Sequence, residues 1–79
     1  MDIKIIGAGC EKCDILYNNT VDALAELGID AVPSKVEDLM EMVRLGVMTT
    51  PSLMINGKLA IAGKVATKKE VIEAIKKNS

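Results

Sequence analysis

Residues 2–6, Asp-Ile-Lys-Ile-Ile, alternate in polarity, turn apolar and stop at Gly7-Ala8-Gly9. From Glu11 to Leu27 the period changes. Cys13, Leu16, Tyr17, Thr20, Val21 and Leu24 recur at spacings of three and four, which gathers them on one face of a helix. A strand that runs through a glycine-rich turn directly into an amphipathic helix commits the chain to a helix packed on a sheet. Gly28 is a natural stop for that helix.

The rest of the chain continues in kind. Residues 29–33 fit a short second strand, with Pro33 at its end or on an edge. Ser34 and Glu37 have capping-box spacing and predict a second, shorter helix with Val36, Leu39, Met40 and Val43 as its buried stripe, ended by Gly46. Residues 47–52 read as a loop. Residues 53–55 and 59–62 read as two strands around Asn56-Gly57, a strong hairpin signal. Thr67 and Glu70 form a second capping box, followed by Val71, Ile72 and Ile75 as the apolar face of a final helix. The expected order is β-α-β-α-β-β-α: an α/β domain of three helices on a mixed four-stranded sheet. The early connections are long enough for right-handed crossovers, and the last two strands form an antiparallel hairpin.

At 79 residues the chain is expected to form a single domain over residues 1–79, near the lower size at which one apolar core suffices. The 49% hydrophobic content supplies that core. Tyr17 is the only aromatic residue, and its place in the helical pattern marks it as packing; base-stacking platforms lack their side chains. A net charge of −1 argues against general attraction to nucleic acid or to membranes. Residues 58–79 carry six lysines against two glutamates, which reads as a solvated terminal helix. No segment approaches the roughly 18 apolar residues of a membrane span, and the start lacks a signal-peptide layout, so a cytoplasmic location is expected.

Cys10-Glu11-Lys12-Cys13 sits at the junction of first strand and first helix. These are the only two cysteines, and there is no histidine. In a reducing compartment such a pair is catalytic or metal-binding before it is a permanent staple, and a disulfide closing so small a loop adds little chain entropy. In the terminal turn of a helix, Cys10 meets unpaired backbone N–H groups and the positive end of the dipole, which lower a thiol's pKa and make it a nucleophile. Cys13, one turn on, faces the same side and is less exposed. The pair can then attack a disulfide through Cys10 and resolve the mixed disulfide through Cys13. Lys12 adds a positive charge beside the thiolate, and Glu11 is an early helical acid that serves the dipole.

Two other uses stay open at this point. The cysteines can be small core residues, or two thiolates can hold Cu(I), with a homodimer pooling four for zinc or an iron-sulfur cluster. The five methionines, Met40 and Met54 among them, read as core filler. Hydrolase, kinase and nucleotide-binding functions lack their parts: there is no histidine base, Gly7-Ala8-Gly9 is too short for a phosphate loop, and no Gly-Lys-Ser/Thr follows it.

Gly9-Cys10-Glu11-Lys12-Cys13 after the first strand, with Thr50-Pro51 just before the third, resembles the thioredoxin and glutaredoxin superfamily, and most closely its small archaeal and bacterial redox-active disulfide (thioredoxin-like) proteins. The resemblance spans essentially the whole chain and implies a thioredoxin-like fold and a protein dithiol-disulfide oxidoreductase. It casts Cys10 as the attacking thiolate and Cys13 as the resolving one. It places a cis Pro51 beside the disulfide and gives the backbone of Thr50 to an extended substrate. The implied partners are protein disulfide substrates and a reductase of thioredoxin-reductase type as electron donor; no cofactor or metal is expected.

The departures bear on the donor. Gly9 stands where thioredoxins have a tryptophan, and Glu11-Lys12 where they have Gly-Pro. The pair lacks the tyrosine common in glutaredoxins. Their glutathione-holding Gly-Gly appears only as Ala62-Gly63, so Gly63 reads as a turn residue and a dithiol donor is expected over glutathione. Copper-chaperone domains share a Cys-x-x-Cys entering the first helix, but their leading methionine is replaced here by Ala8. They also end in a strand, whereas this chain ends in a capped helix.

Overall fold

A computed structural model describes residues 1–7 and 11–78. The elements are β1 (Ile3–Ile6), α1 (Glu11–Leu27), β2 (Ser34–Val36), α2 (Leu39–Leu45), β3 (Ser52–Ile55), β4 (Lys58–Ala62) and α3 (Lys68–Asn78). They form a four-stranded sheet of order β2-β1-β3-β4, with β1 parallel to β2 and antiparallel to β3, and β3 antiparallel to β4. Three helices on a mixed sheet make this an α/β, thioredoxin-like fold. Among the described residues, no helix is long and apolar enough to cross a membrane.

Strand alternation divides the core in two. Ile3, Ile5, Leu53 and Ile55 face α1 and α3, where they pack with Leu16, Ala23, Leu24, Val71 and Ile75. Ile6 and Met54 point the other way and meet Val36, Met42 and Val47 beneath α2. In α1 the observed face differs by one position from the expected one: Val21 is exposed and Ala23 is buried. Thr20 is buried on that face because its hydroxyl donates to the Leu16 carbonyl at 2.8 Å.

The local turn chemistry is as the residues suggest. Asn56 and Gly57 both have positive φ, 53° and 81°, the conformation that a two-residue hairpin of this twist requires. Asn56 also ties the hairpin to the chain start, donating its N–H to the Asp2 carbonyl at 2.7 Å and accepting the Asp2 N–H on Oδ1 at 2.9 Å. At α3 the capping box closes both ways: Glu70 N–H donates to Thr67 Oγ1 at 3.2 Å, and Thr67 N–H to Glu70 Oε1 at 3.1 Å. The Lys64 ammonium and the Thr67 N–H hold the Glu70 carboxyl below the usual glutamate range.

The second strand and second helix depart from expectation. The strand is Ser34–Val36 and not residues 29–33, because pairing sets it: Lys4, Ile5 and Ile6 lie opposite Ser34, Lys35 and Val36. Ile29 and Ala31 instead pack half-buried against the α1–α3 core as the chain climbs back to the sheet. With Ser34 in a strand, it cannot cap α2. Asp38 does so, its Oδ1 accepting the Met40 N–H at 3.0 Å. The expected stripe is also displaced. Val36 is buried as a strand residue, Met42 is the buried residue of the helix, and Leu39, Met40 and Val43 are exposed. Gly46, at φ 73°, ends α2, with its N–H and that of Val47 donating to the Val43 and Met42 carbonyls.

Candidate functional site

The antiparallel register of β1 and β3 builds the site. Ser52 lies opposite Ile6, so the segment entering β3 arrives where β1 ends and α1 begins. Ala8, Gly9 and Cys10, with Ser79, lie outside the described residues. Cys13 falls in the first turn of α1 and is 5% exposed. Its sulfur rests against Gly7: a Cβ built on Gly7 would overlap the Cys13 Sγ and would stand 3.7 Å from the Thr50 Cβ. Gly7, Cys13 and Thr50 therefore converge on one spot.

The Thr50–Pro51 peptide bond is cis, with Thr50 exposed and Pro51 buried. Two hydrogen bonds hold this turn. The buried Ser52 hydroxyl donates to the Thr49 carbonyl at 2.6 Å, and the Gly63 N–H donates to the Pro51 carbonyl at 3.0 Å. A Cβ on Gly63 would stand 3.4 Å from the Thr49 Cβ, at the near limit of ordinary contact. Gly63, expected as a turn residue, thus also packs against the proline turn from β4. The sequence does not mark Gly7, Ser52 and Gly63 as site residues; Gly7 alone carries a usable signal, as the residue that ends the strand before the cysteines.

Cys13 opens onto a cleft of about 310 Å³ whose wall includes Glu11, Asp14, Lys35 and Glu37. Lys35 donates to Asp14 Oδ1 at 2.9 Å and lies 5.0 Å from the centre of the Tyr17 ring. The Asp14 carboxylate, more than any other group, raises the Lys35 pKa and keeps its ammonium charged. Tyr17 is half-buried and packs against the core, as expected. The arrangement offers a sulfur one turn into a helix, backed by a glycine and bordered by a proline turn whose Thr50 faces solvent. An extended chain can approach Thr50 without displacing the core.

Comparison with known proteins agrees with this architecture. The family model described as a thioredoxin domain matches residues 1–76. A thioredoxin of Methanothermobacter thermautotrophicus is 39% identical over 71 residues, 90% of this chain and 92% of its own. A thioredoxin of Methanocaldococcus jannaschii is 38% identical over 74 residues, 94% of this chain and 85% of its own. A solved structure of a malarial protein superposes with a TM-score of 0.66 over 99% of this chain and 98% of that one; at 15% identity it speaks to the fold alone. With the family match covering nearly the whole chain and two archaeal relatives close to 40% identical, the chain belongs to the thioredoxin family.

Proposed function

We propose that the protein is a thiol-disulfide oxidoreductase that reduces protein disulfides through Cys10 and Cys13. The observation that carries this reading is the convergence of Cys13 Sγ, Gly7 and the Thr50–Pro51 turn at the start of α1. In the reaction, the Cys10 thiolate attacks one sulfur of the substrate disulfide, and the departing substrate thiolate takes a proton. Cys13, as its thiolate, then attacks the Cys10 sulfur, breaks the mixed disulfide and releases the second substrate thiol. Two electrons and two protons pass from protein dithiol to substrate disulfide. Cys10 directly precedes a seventeen-residue helix, where positive dipole and unpaired N–H groups favour a thiolate. Cys13 is buried, which keeps it from competing as first attacker on a protein disulfide.

In this reading the exposed Thr50 backbone pairs with an extended segment of the substrate, and the buried Pro51 shapes the turn that presents it. The oxidised pair is returned to the dithiol by a reductase of thioredoxin-reductase type. The names of the archaeal relatives support the redox reading, and a single thioredoxin-like domain in the cytoplasm, where thiols are held reduced, is its natural setting. The test is a pair of single substitutions. Cys10→Ser abolishes reduction of a protein disulfide, and Cys13→Ser accumulates a covalent mixed disulfide visible by mass spectrometry without reductant. Full turnover by both variants would sink the proposal.

A further inference from the structure

β4 is the last strand of the sheet. A terminal strand turns half of its backbone N–H and C=O groups outward, where another chain can pair with them. Ala60 adds to that row. Leu53 lies opposite Ile61 and Met54 opposite Leu59, so Ala60 is a bulge residue left out of the β3 ladder. Beside this edge runs a groove of about 340 Å³, with Ala60 and Ala62 on one side and Ala74 of α3 on the other. Three charged side chains of α3, Glu70, Glu73 and Lys77, complete that second wall. Glu70 is engaged within the chain, by the Thr67 N–H and the Lys64 ammonium. Glu73 and Lys77 are exposed and take part in no ion pair among the described residues.

We propose that the occupant of this edge is a second copy of the chain: two β4 strands pair antiparallel about a two-fold axis, and α3 packs against its mate. The association is separate from the dithiol chemistry, because the β4 edge carries neither cysteine. Symmetry and charge together identify the occupant. The axis stands perpendicular to the sheet, so both copies of α3 lie on the same face and run antiparallel. Paired strands are about 4.8 Å apart and packed helices about 8–10 Å apart, so two helices that each lie along a β4 edge come within packing distance. With the axis near Ala74, Lys77 of each copy faces Glu70 and Glu73 of the other, and the same contacts recur by symmetry. Lys64 already neutralises Glu70, so the new opposite-charge pairs are Glu73 with Lys77, made twice. The small Ala74 sits where the helices cross and permits their approach. A strand from an unrelated protein finds the same edge but not this matched order of charges. On the other face of the sheet, Leu59 lies opposite Met54 and is 47% exposed; next to Ala60, it gains cover beside the axis. The cysteine site lies at the end of β1, two strands in from β4, so both sites stay open in the dimer.

Sedimentation equilibrium of the full chain tests this, in reductant so that no intermolecular disulfide forms. The wild type is expected to pass from 8.4 kDa to twice that mass as its concentration rises from about 1 μM to about 1 mM. Glu73→Lys and Lys77→Glu each set like charges against one another in both halves of the interface. Each is expected to raise the dissociation constant at least about tenfold. An equimolar mixture of the two variants brings opposite charges back together and is expected to associate at least about tenfold more tightly than either variant alone. The Glu73→Lys/Lys77→Glu double variant regains self-association in the same way. A wild type that stays at 8.4 kDa throughout overturns the proposal and leaves the edge to a different chain or to solvent. A dimer that survives both single substitutions overturns it too, as does a loss that neither the mixture nor the double variant reverses. Reduction of a small aromatic disulfide by the pre-reduced proteins reads the other proposal separately. The variants are expected to match the wild-type rate, and a wild type that fails to react would overturn the dithiol reading alone.

Discussion

Gly7→Ala tests how closely the end of β1 is fitted to the cysteine site. The new methyl group overlaps the Cys13 Sγ, which must move by more than about 1 Å to regain an ordinary contact distance. Cys13 is buried within the first turn of a helix, so that movement pulls on α1 or forces the sulfur out of its rotamer. Overpacking of this kind costs about 1–3 kcal/mol. With an m-value of about 1 kcal/mol/M, the lower limit for small domains in urea, the midpoint falls by about 1–3 M. The other neighbours set a control. Apart from the sulfur, the built methyl meets only the Cys13 Cβ at 3.5 Å and the Thr50 Cβ at 3.7 Å, both ordinary contacts. In a Cys13→Ala background the steric part of that cost disappears, leaving only the cost of a side chain at φ 158°. A four-variant urea-denaturation cycle reads this coupling directly. A Gly7→Ala cost that is the same with and without the Cys13 sulfur would refute the packing account, as would no cost at all.

The remaining predictions concern parts of the frame. Ser52→Ala removes the hydroxyl that binds the Thr49 carbonyl and is expected to cost about 0.5–1.5 kcal/mol in urea denaturation. It also slows reduction of a peptide disulfide more than it slows a small one, because the proline turn loses one of its two fastenings. Thr67→Ala opens the α3 capping box at a cost of about 1 kcal/mol, read as a lower thermal midpoint. Glu70 fixes the sign of an acid dependence. Its folded pKa is held below the ordinary 4.5, so its contribution is fully present above that value and is lost as pH falls through the lower folded one. Glu70→Gln is expected to flatten the stability profile in that acidic window, and an unchanged acid limb would contradict the assignment. Asn56→Ala removes the acceptor for the Asp2 N–H and a residue suited to positive φ, and about 1–2 kcal/mol of destabilisation is expected by thermal denaturation.

What the sequence reveals follows from how local each determinant is. The Thr67–Glu70 capping box and the Asn56-Gly57 turn are legible because their hydrogen bonds and backbone conformations lie within a few residues. The helical face of α1 is legible from its period, to within the exchange of Val21 for Ala23. Ser34–Val36 is not legible, because a three-residue strand has too little pattern and takes its place from pairing with β1. Ser34 and Glu37 happen to carry capping-box spacing, so local chemistry there points the wrong way. Periodicity also shows that α2 has an apolar stripe without showing whether the sheet covers it. The sheet takes Met42 and leaves Leu39 and Val43 outside.

The site divides along the same line. Cys10, Cys13, Thr50 and Pro51 stand out by motif and by resemblance. Cys13, Thr50 and Pro51 prove to be neighbours because antiparallel register carries β3 to the end of β1. Ser52 and Gly63 act through contacts made only once the strands are paired, and no spacing in the chain announces them; Gly7 is marked only as the residue that ends the first strand.

The central claim is that Cys10 and Cys13 exchange two electrons as a pair. A titration of the metal-free protein in glutathione redox buffers, with free thiols counted by mass labelling, tests it most directly. The account predicts one reversible transition between a dithiol and an intramolecular disulfide, with a tenfold change in their ratio per about 30 mV. Thiols that never pair, or that yield only separate glutathione adducts, would contradict it.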